Sequence, residues 1–77
     1  MMPRRSFHSD PDAWVARLFH SKAAMEGRVI RRSLRDIDTF ASRALLLNEI
    51  NRRGYRAVEN AGQIVIFCNQ EPIHRVA

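Results

Sequence analysis

Seven arginines have the type and spacing to bind anions, and they stand in two groups along the chain: Arg28, Arg31, Arg32 and Arg35, then Arg52, Arg53 and Arg56. A guanidinium group is planar, stays charged and presents paired N–H donors, so it binds two oxygens of a phosphate or carboxylate at once. Twelve of the thirteen basic residues are arginine, and the formal net charge is +5. This bias favours a phosphate-rich partner, either RNA or DNA.

The first arginine group has a spacing that suits a phosphate backbone if its segment is a strand. In an extended strand Arg31 and Arg35 share one face and lie about 13 Å apart, which is compatible with two phosphates. The alternative is a solvated surface whose charge is balanced by carboxylates. Four carboxylates are close enough in the sequence or the expected fold to do this: Asp36, Asp38, Glu49 and Glu59.

Aromatic side chains can add base stacking to such phosphate contacts. Tyr55 stands between Arg53 and Arg56 in the second group, and we expect it to stack on a base. Phe40 and Phe67 could stack on bases in the same way, but we expect both of them in the core.

Residues for catalysis or metal binding do not form a motif. His8, His20 and His74 lie far apart in the sequence, and no paired histidines or cysteines are present. The single cysteine, Cys68, ends an apolar run typical of a buried strand. We therefore predict a non-catalytic protein with no cofactor and no metal. An enzyme would require the fold to bring His20 or His74 beside Cys68 or a carboxylate in a cleft.

The segment from Arg43 to Asn69 carries the clearest structural signals. Its first part, RALLLNEINRR, is rich in helix formers and ends in two arginines that complement the negative end of the helix dipole. Gly54 follows and can adopt the left-handed conformation that closes a helix. We predict a helix that ends at Arg53.

A β-hairpin is predicted directly after this helix. Residues 63–68, QIVIFC, are rich in β-branched and aromatic side chains. Residues 60–62, Asn-Ala-Gly, predict a three-residue loop in which the asparagine opens a type I turn and the glycine takes a positive φ. The register stays open, because Val58 can lie opposite either Ile64 or Val65.

The N-terminal part of the chain begins with a helix. Asp10 can cap it, and Pro11 fits its first position. Spacings of three and four residues gather apolar side chains on one face of the helix: Trp14, Val15, Leu18, Phe19 and Met25. We expect the helix to run to about Glu26 and Gly27 to end it.

The segment from Arg28 to Leu34 has two interpretations. As a strand it supplies the third strand that a small sheet needs, and Asp36 or Asp38 then caps a new helix. The alternative is one long helix from Arg28 to Arg53. We choose the strand.

Together these elements predict an α+β fold, with an N-terminal helix followed by β-α-β-β and a small antiparallel sheet packed on two helices. Seventy-seven residues suffice for one domain. We place it at residues 10–77, after a flexible basic arm at residues 1–9. In the tail, Ile73 and Val76 could form a short edge pairing.

The sequence also indicates a compartment. No apolar run approaches the roughly 20 residues of a membrane span, and the N-terminus lacks the apolar segment of a secretory signal. One cysteine cannot form an intramolecular disulfide. We expect a cytoplasmic protein with no membrane partner.

The segment from Asn51 to Phe67, NRRGYRAVENAGQIVIF, resembles the helix, glycine-aromatic pair and hairpin of the HicA-type mRNA-cleaving toxins. Those toxins have a small fold like that of double-stranded-RNA-binding domains. Their hairpin carries a catalytic histidine shortly after the turn glycine, whereas Gly62 is followed here by Gln-Ile-Val. The resemblance thus implies an RNA-binding surface without the ribonuclease activity of the family.

The chain as a whole also resembles small bacterial proteins of unassigned role, some of which carry the label phosphoribosylanthranilate isomerase. That enzyme is a TIM barrel of roughly 200 residues or more. A chain of 77 residues is too short for such a barrel. This second resemblance implies a small bacterial protein without isomerase activity.

The residues and the resemblances lead to one expectation and one alternative. We expect a small basic module that binds nucleic acid without catalysis, through the seven arginines and Tyr55. The alternative is a protein-interaction module, either a homodimer or an accessory subunit. Three consecutive leucines, Leu45 to Leu47, span too much of a helix circumference for all of them to face one core. That leucine surface or the hairpin edge would contact the protein partner.

Overall fold

A three-stranded antiparallel sheet and four helices make up the computed structural model, which describes residues 10–77. In chain order the elements are α1 (Pro11–Phe19), α2 (Lys22–Met25), β1 (Val29–Ser33), α3 (Leu34–Phe40), α4 (Arg43–Arg52), β2 (Arg56–Asn60) and β3 (Gln63–Phe67). The predicted arm at residues 1–9 lies outside the described residues. The α+β class is confirmed, and so is the strand after Gly27.

The last strand of the chain lies in the middle of the sheet, in the order β1-β3-β2. Val58 on β2 lies opposite Val65 on β3, which settles the register that the sequence left open. Because cross-strand partners share a face, the buried side chain of Ile66 identifies the face that the helices cover. Two rows of partners lie on that face, namely Ile30, Ile66 and Ala57, then Arg32, Ile64 and Glu59.

The core joins this covered face of the sheet to the helices. Ile66 is fully buried against the helices, and Ile37 of α3 and Leu46 of α4 are buried as completely. Burying an aliphatic side chain of this size stabilises the fold by about 1.5 to 3 kcal/mol. α1 contributes Val15 and Leu18 to the same cluster.

The N-terminal helix is shorter than the sequence predicts. Asp10 caps it as expected, with its side chain accepting a hydrogen bond from the Ala13 amide at 3.2 Å. It ends at Phe19 and not near Glu26, because the Ser21 hydroxyl accepts from the Ala24 amide at 3.3 Å and starts a new turn of helix. The break changes the direction of the chain.

Because α1 ends at Phe19, the prediction that Met25 lies on its apolar face is wrong. Its side chain is 70% exposed, since it belongs to α2 and not to the face that Val15 and Leu18 define on α1. Gly27 does follow this turn of helix, with a φ of 75°.

Two helices stand where one was predicted between β1 and β2. The first begins at Leu34 because the Ser33 hydroxyl accepts from the Asp36 amide at 3.0 Å, so neither Asp36 nor Asp38 is the cap. The second begins after Ser42, whose hydroxyl accepts from the Leu45 amide at 3.0 Å. The sheet therefore packs against four short helices and not against two long ones, and the long-helix alternative is wrong.

The C-terminal end of α4 is the predicted one. Arg53 is the C-cap, and Gly54 follows it with a φ of 73°. The Tyr55 amide donates to the Ile50 carbonyl at 3.0 Å, and the Gly54 amide donates to the Asn51 carbonyl at 3.0 Å. This pair of bonds is the Schellman motif, which satisfies carbonyls that the end of a helix leaves free.

The hairpin loop has two residues and not the three that the sequence predicts. Asn60 is paired with Gln63 in the ladder, which leaves Ala61 and Gly62 as the loop. Their φ angles are 52° and 76°. Positive φ at both positions is the requirement of a type I′ turn, whose twist matches that of the strands.

The tail after β3 contains no strand within the described residues, so the edge pairing of Ile73 and Val76 is wrong. The side chains of Asn69 and Gln70 attach the start of the tail to the helical layer instead. Asn69 donates to the Gly27 carbonyl at 3.0 Å, and Gln70 donates to the Arg53 carbonyl at 3.1 Å.

The turn residue Ala61 yields the first testable prediction, because a Cβ is strained at positive φ. Replacing Ala61→Asn should raise the free energy of unfolding by about 0.5 to 1 kcal/mol, since asparagine tolerates this conformation. The melting temperature, followed by circular dichroism, should rise by a few degrees.

Gly62 provides the matched control. A Cβ built on it meets no atom within 4 Å, so Gly62→Ala tests backbone strain alone and should lower the free energy of unfolding by about 1 kcal/mol. A lower melting temperature for Ala61→Asn would contradict the type I′ turn.

Candidate functional site

One face of the sheet carries no helix among the described residues, and we call it the open face. Its side chains come from alternate positions of the three strands, whose other positions face the helices. Val29 and Val58 on this face are 47% and 46% exposed. The open face consists of three cross-strand rows, namely Val29, Phe67 and Arg56, then Arg31, Val65 and Val58, then Ser33, Gln63 and Asn60.

Two of the predicted arginines lie on the open face. Arg31 is on β1 and Arg56 is on β2, on either side of the central strand. They stand two strands and two residues apart, so their Cα atoms are separated by about 12 Å. Both are exposed, and no carboxylate within residues 10–77 lies at ion-pair distance from either guanidinium.

An aromatic ring lies between these two arginines. Phe67 on β3 is half-buried on the open face, directly opposite Arg56 and beside Val65. The expectation that Phe67 belongs to the core is therefore wrong. The alternation in QIVIFC could have found this, because the buried set of Ile64, Ile66 and Cys68 leaves Val65 and Phe67 on the other face.

Tyr55, the predicted stacking residue, lies on the helix side of the sheet. Its ring packs against Phe19, with centroids 6.0 Å apart and planes tilted by 44°. It is half-buried there, one residue before the outward-facing Arg56. The structure thus separates Tyr55 from the open face.

Arg52 and Arg53 are both engaged by one carboxylate. The Arg52 Nε donates to a carboxylate oxygen of Glu49 at 3.1 Å, and the Arg53 Nε donates to the other oxygen. Hydrogen bonds first from Arg52 and then from Arg53 hold the pKa of Glu49 below its usual value. Arg53 also covers the ring of Phe19, 4.7 Å from its centroid. These two arginines have protein partners already.

The remaining three predicted arginines point in different directions. Arg28 forms an ion pair with Glu26 at 3.0 Å. Arg35 belongs to α3, so the expectation that it shares a strand face with Arg31 is wrong. Arg32 faces the helix side of β1 and lines a hollow next to α1. The structure therefore brings two of the seven arginines together on the open face.

The leucine surface of the alternative interpretation is also divided. Leu46 is buried in the core, and Leu45 is half-buried against it. Leu47 is 45% exposed on the outer side of α4. A single exposed leucine on this helix offers little apolar area to a protein partner.

Another aromatic pair joins α1 to α3. Phe40, which was expected in the core, is 37% exposed and stacks on Trp14. The two ring centroids are 6.2 Å apart and the planes differ by 17°. Phe40 is the last residue of α3, which ends at the C-cap Ala41, and this position explains its exposure.

Cys68 and His20 lie in different environments, one buried and the other exposed. The Cys68 thiol is buried, and this burial raises its pKa. His20 is exposed, with its Nδ1 2.7 Å from the Ala16 carbonyl oxygen. Residues 10–77 contain no cluster of three or more metal-binding side chains. Among the helices of this part of the chain, none has the length and apolar character to cross a membrane.

Comparison of the chain with protein-family models, with curated proteins and with solved structures found no match. The resemblances to HicA-type toxins and to small bacterial proteins therefore stay predictions.

The Glu49 cluster generates a prediction about pH. A carboxyl whose pKa is lowered by folding stabilises the fold above its unfolded pKa of about 4.3, and this contribution is lost as the pH falls through the folded pKa. Glu49→Gln should therefore lower stability by about 1 kcal/mol at neutral pH, because the cluster is still partly hydrated. The deficit should begin to shrink near pH 4.3 and should disappear only once the pH is below the lowered pKa of the folded state.

Thermal melts of the parent protein and of Glu49→Gln between neutral and acidic pH measure this effect. Glu71→Gln is the matched control, because Glu71 is exposed and forms no ion pair within residues 10–77. A deficit for Glu49→Gln that stays constant with pH would show that the arginine contacts do not depend on the charge of the carboxylate.

Proposed function

We propose that this chain binds single-stranded nucleic acid, RNA or DNA, on the open face, without catalysis. The observation that supports the proposal is the arrangement of Arg31 and Arg56 on either side of Phe67. Each guanidinium is exposed and has no carboxylate partner within residues 10–77. Such groups can exchange water for phosphate oxygens without first breaking an ion pair of the protein.

The apolar centre of the open face favours a nucleic acid over a simple anion. Phe67 and Val65 lie on the central strand, between the two arginines. A base can stack on the exposed part of the Phe67 ring while the phosphates on either side of it contact Arg31 and Arg56. The separation of about 12 Å between the arginines leaves room for a base between two phosphate contacts.

The same geometry favours a single strand over a duplex. In a duplex the bases are stacked on one another, so the Phe67 ring could not reach a base face. Only the two arginine contacts would remain. Stacking on an aromatic ring contributes about 1 to 3 kcal/mol per base and depends little on sequence. We therefore infer binding with weak sequence preference.

A second candidate is self-association through the open face, which the exposure of Val29 and Val58 favours. The charges argue against it. The open face carries Arg31 and Arg56 but no carboxylate. Two copies packed face to face around a two-fold axis would bury four cations with no counter-charge, and such burial is costly. The edge strand β2 also has Arg56 and Glu59, and charged residues discourage edge pairing.

The test is fluorescence anisotropy of labelled single-stranded RNA and DNA oligomers of mixed sequence, at low and moderate salt. Arg31→Gln and Arg56→Gln should each weaken binding on the order of tenfold at low salt. Each should also reduce the slope of log affinity against log salt by about 0.7, since one phosphate contact is lost. Phe67→Leu should weaken binding and leave the salt slope unchanged.

Arg52→Gln is the matched control, because it removes the same charge from a residue that Glu49 already engages. Its affinity should stay within about twofold of the parent value, a shift small compared with the tenfold step expected at the open face. An equal loss for Arg52→Gln would show that only the total charge matters. Tighter binding to duplex than to single strands would contradict the role of Phe67. Sedimentation equilibrium that shows a dimer disrupted by Val58→Arg would favour self-association.

A further inference from the structure

A second basic site lies on the other side of strand β1. A hollow of about 200 Å³ opens between α1 and β1 and is lined by Trp14, Arg17, Leu18 and Arg32. Because successive residues of a strand point to opposite faces, Arg31 lies on the open face and Arg32 points into this hollow. The hollow is therefore separate from the open face, where we propose that nucleic acid binds.

The two arginines of this hollow form no ion pair among the residues that the structure describes. Neither Arg17 nor Arg32 lies at ion-pair distance from a carboxylate there. The acidic residue of α1, Asp12, lines a different hollow together with Glu49. Two cations that line one small space repel each other, and a bound anion would relieve this repulsion.

The donors of Arg32 are only partly used. Its Nη1 donates to the Arg31 carbonyl oxygen at 2.8 Å, which holds the guanidinium close to the strand. A guanidinium has five N–H donors, so most of those on Arg32 remain for a ligand. Arg17 is exposed in the last turn of α1 and supplies a second set.

We propose that this hollow binds a phosphate monoester group. Its volume is below the roughly 300 Å³ at which pockets for whole small molecules begin, so it suits a single anionic group with some water. A carboxylate has two oxygens and is satisfied by one guanidinium. A phosphate monoester presents three terminal oxygens and close to two negative charges, so it matches two guanidinium groups.

Trp14 forms the apolar wall of the site and also reports on it. Its ring is held by the stacked Phe40, and it is the one tryptophan in the sequence. An anion placed between Arg17 and Arg32 changes the electric field at this indole. Tryptophan emission therefore follows binding without a label.

The experiment is a titration of the full chain with sodium phosphate near pH 7.5, with the ionic strength held constant by sodium chloride. We expect a saturable change in Trp14 emission and none with sodium acetate. Arg17→Gln and Arg32→Gln should each weaken phosphate binding on the order of tenfold, because each removes one charged donor pair. Arg17→Lys should weaken it less, since the charge remains.

Arg35→Gln is the matched control, because Arg35 is an exposed arginine of α3 that lines neither this hollow nor the open face. Its phosphate affinity should equal that of the parent protein. Isothermal titration calorimetry detects phosphate binding even if the Trp14 emission does not change. Circular dichroism checks that each variant is folded. No saturable phosphate binding by either method, or equal weakening by Arg35→Gln, would overturn the proposal.

The phosphate can come from a free ester or from the end of a nucleic-acid strand, and oligomers with a 5′-phosphate or a 5′-hydroxyl distinguish the two. If the oligomer with the 5′-phosphate binds roughly tenfold more tightly, and Arg17→Gln removes this difference, the ligand is the end of a nucleic-acid strand. If the two oligomers bind with equal affinity, the ligand is a free ester. This comparison rests on the proposed function, whereas the titration with inorganic phosphate does not, so either can fail without the other.

Discussion

Within residues 10–77, helices cover one face of the sheet only, and the rest of the structure depends on this arrangement. All four helices contribute side chains to one core cluster with this face, and a small domain buries only a limited share of its surface. The central strand β3 therefore alternates, with Ile64 and Ile66 in the core and Val65 and Phe67 on the open face. The two isoleucines pack against the helices, whereas Val65 and Phe67 stay on the face that no described helix covers.

Local chemistry determines those elements that could be predicted from the sequence. The cap at Asp10, the glycine stop at Gly54 and the hairpin each depend on residues close together in the chain. The helix breaks at Ser21 and Ser42 could not be predicted in this way. Serine is favoured at the start of a helix, but the chain has several serines, and the packing of the helices on the sheet decides which of them begins one. The loop was predicted wrongly because an alanine at positive φ, such as Ala61, is uncommon.

The candidate site shows the same division between local and long-range information. Sequence composition identified arginine as the chemically important residue, but the partner of each arginine depends on the fold. Arg53 is paired with Glu49, one turn earlier in the same helix, but it also covers Phe19, which only the packing of α1 on α4 brings near. Phe67 joins Arg56 because of a cross-strand register that neither strand specifies alone. Arginine content therefore predicts a class of ligand, and the register determines where the ligand can bind.

The register of β1 is held at both ends by backbone hydrogen bonds to the hairpin. The Leu34 amide donates to the Gly62 carbonyl at 2.8 Å, and the Cys68 amide donates to the Arg28 carbonyl at 2.9 Å. A slip of one residue would exchange the faces of Arg31 and Arg32 and would also expose Ile30. The burial of Ile30 thus keeps one arginine on each side of the strand. The hydrophobic core and the two proposed anion sites depend on the same register, so a substitution that disturbs the hairpin turn affects all three.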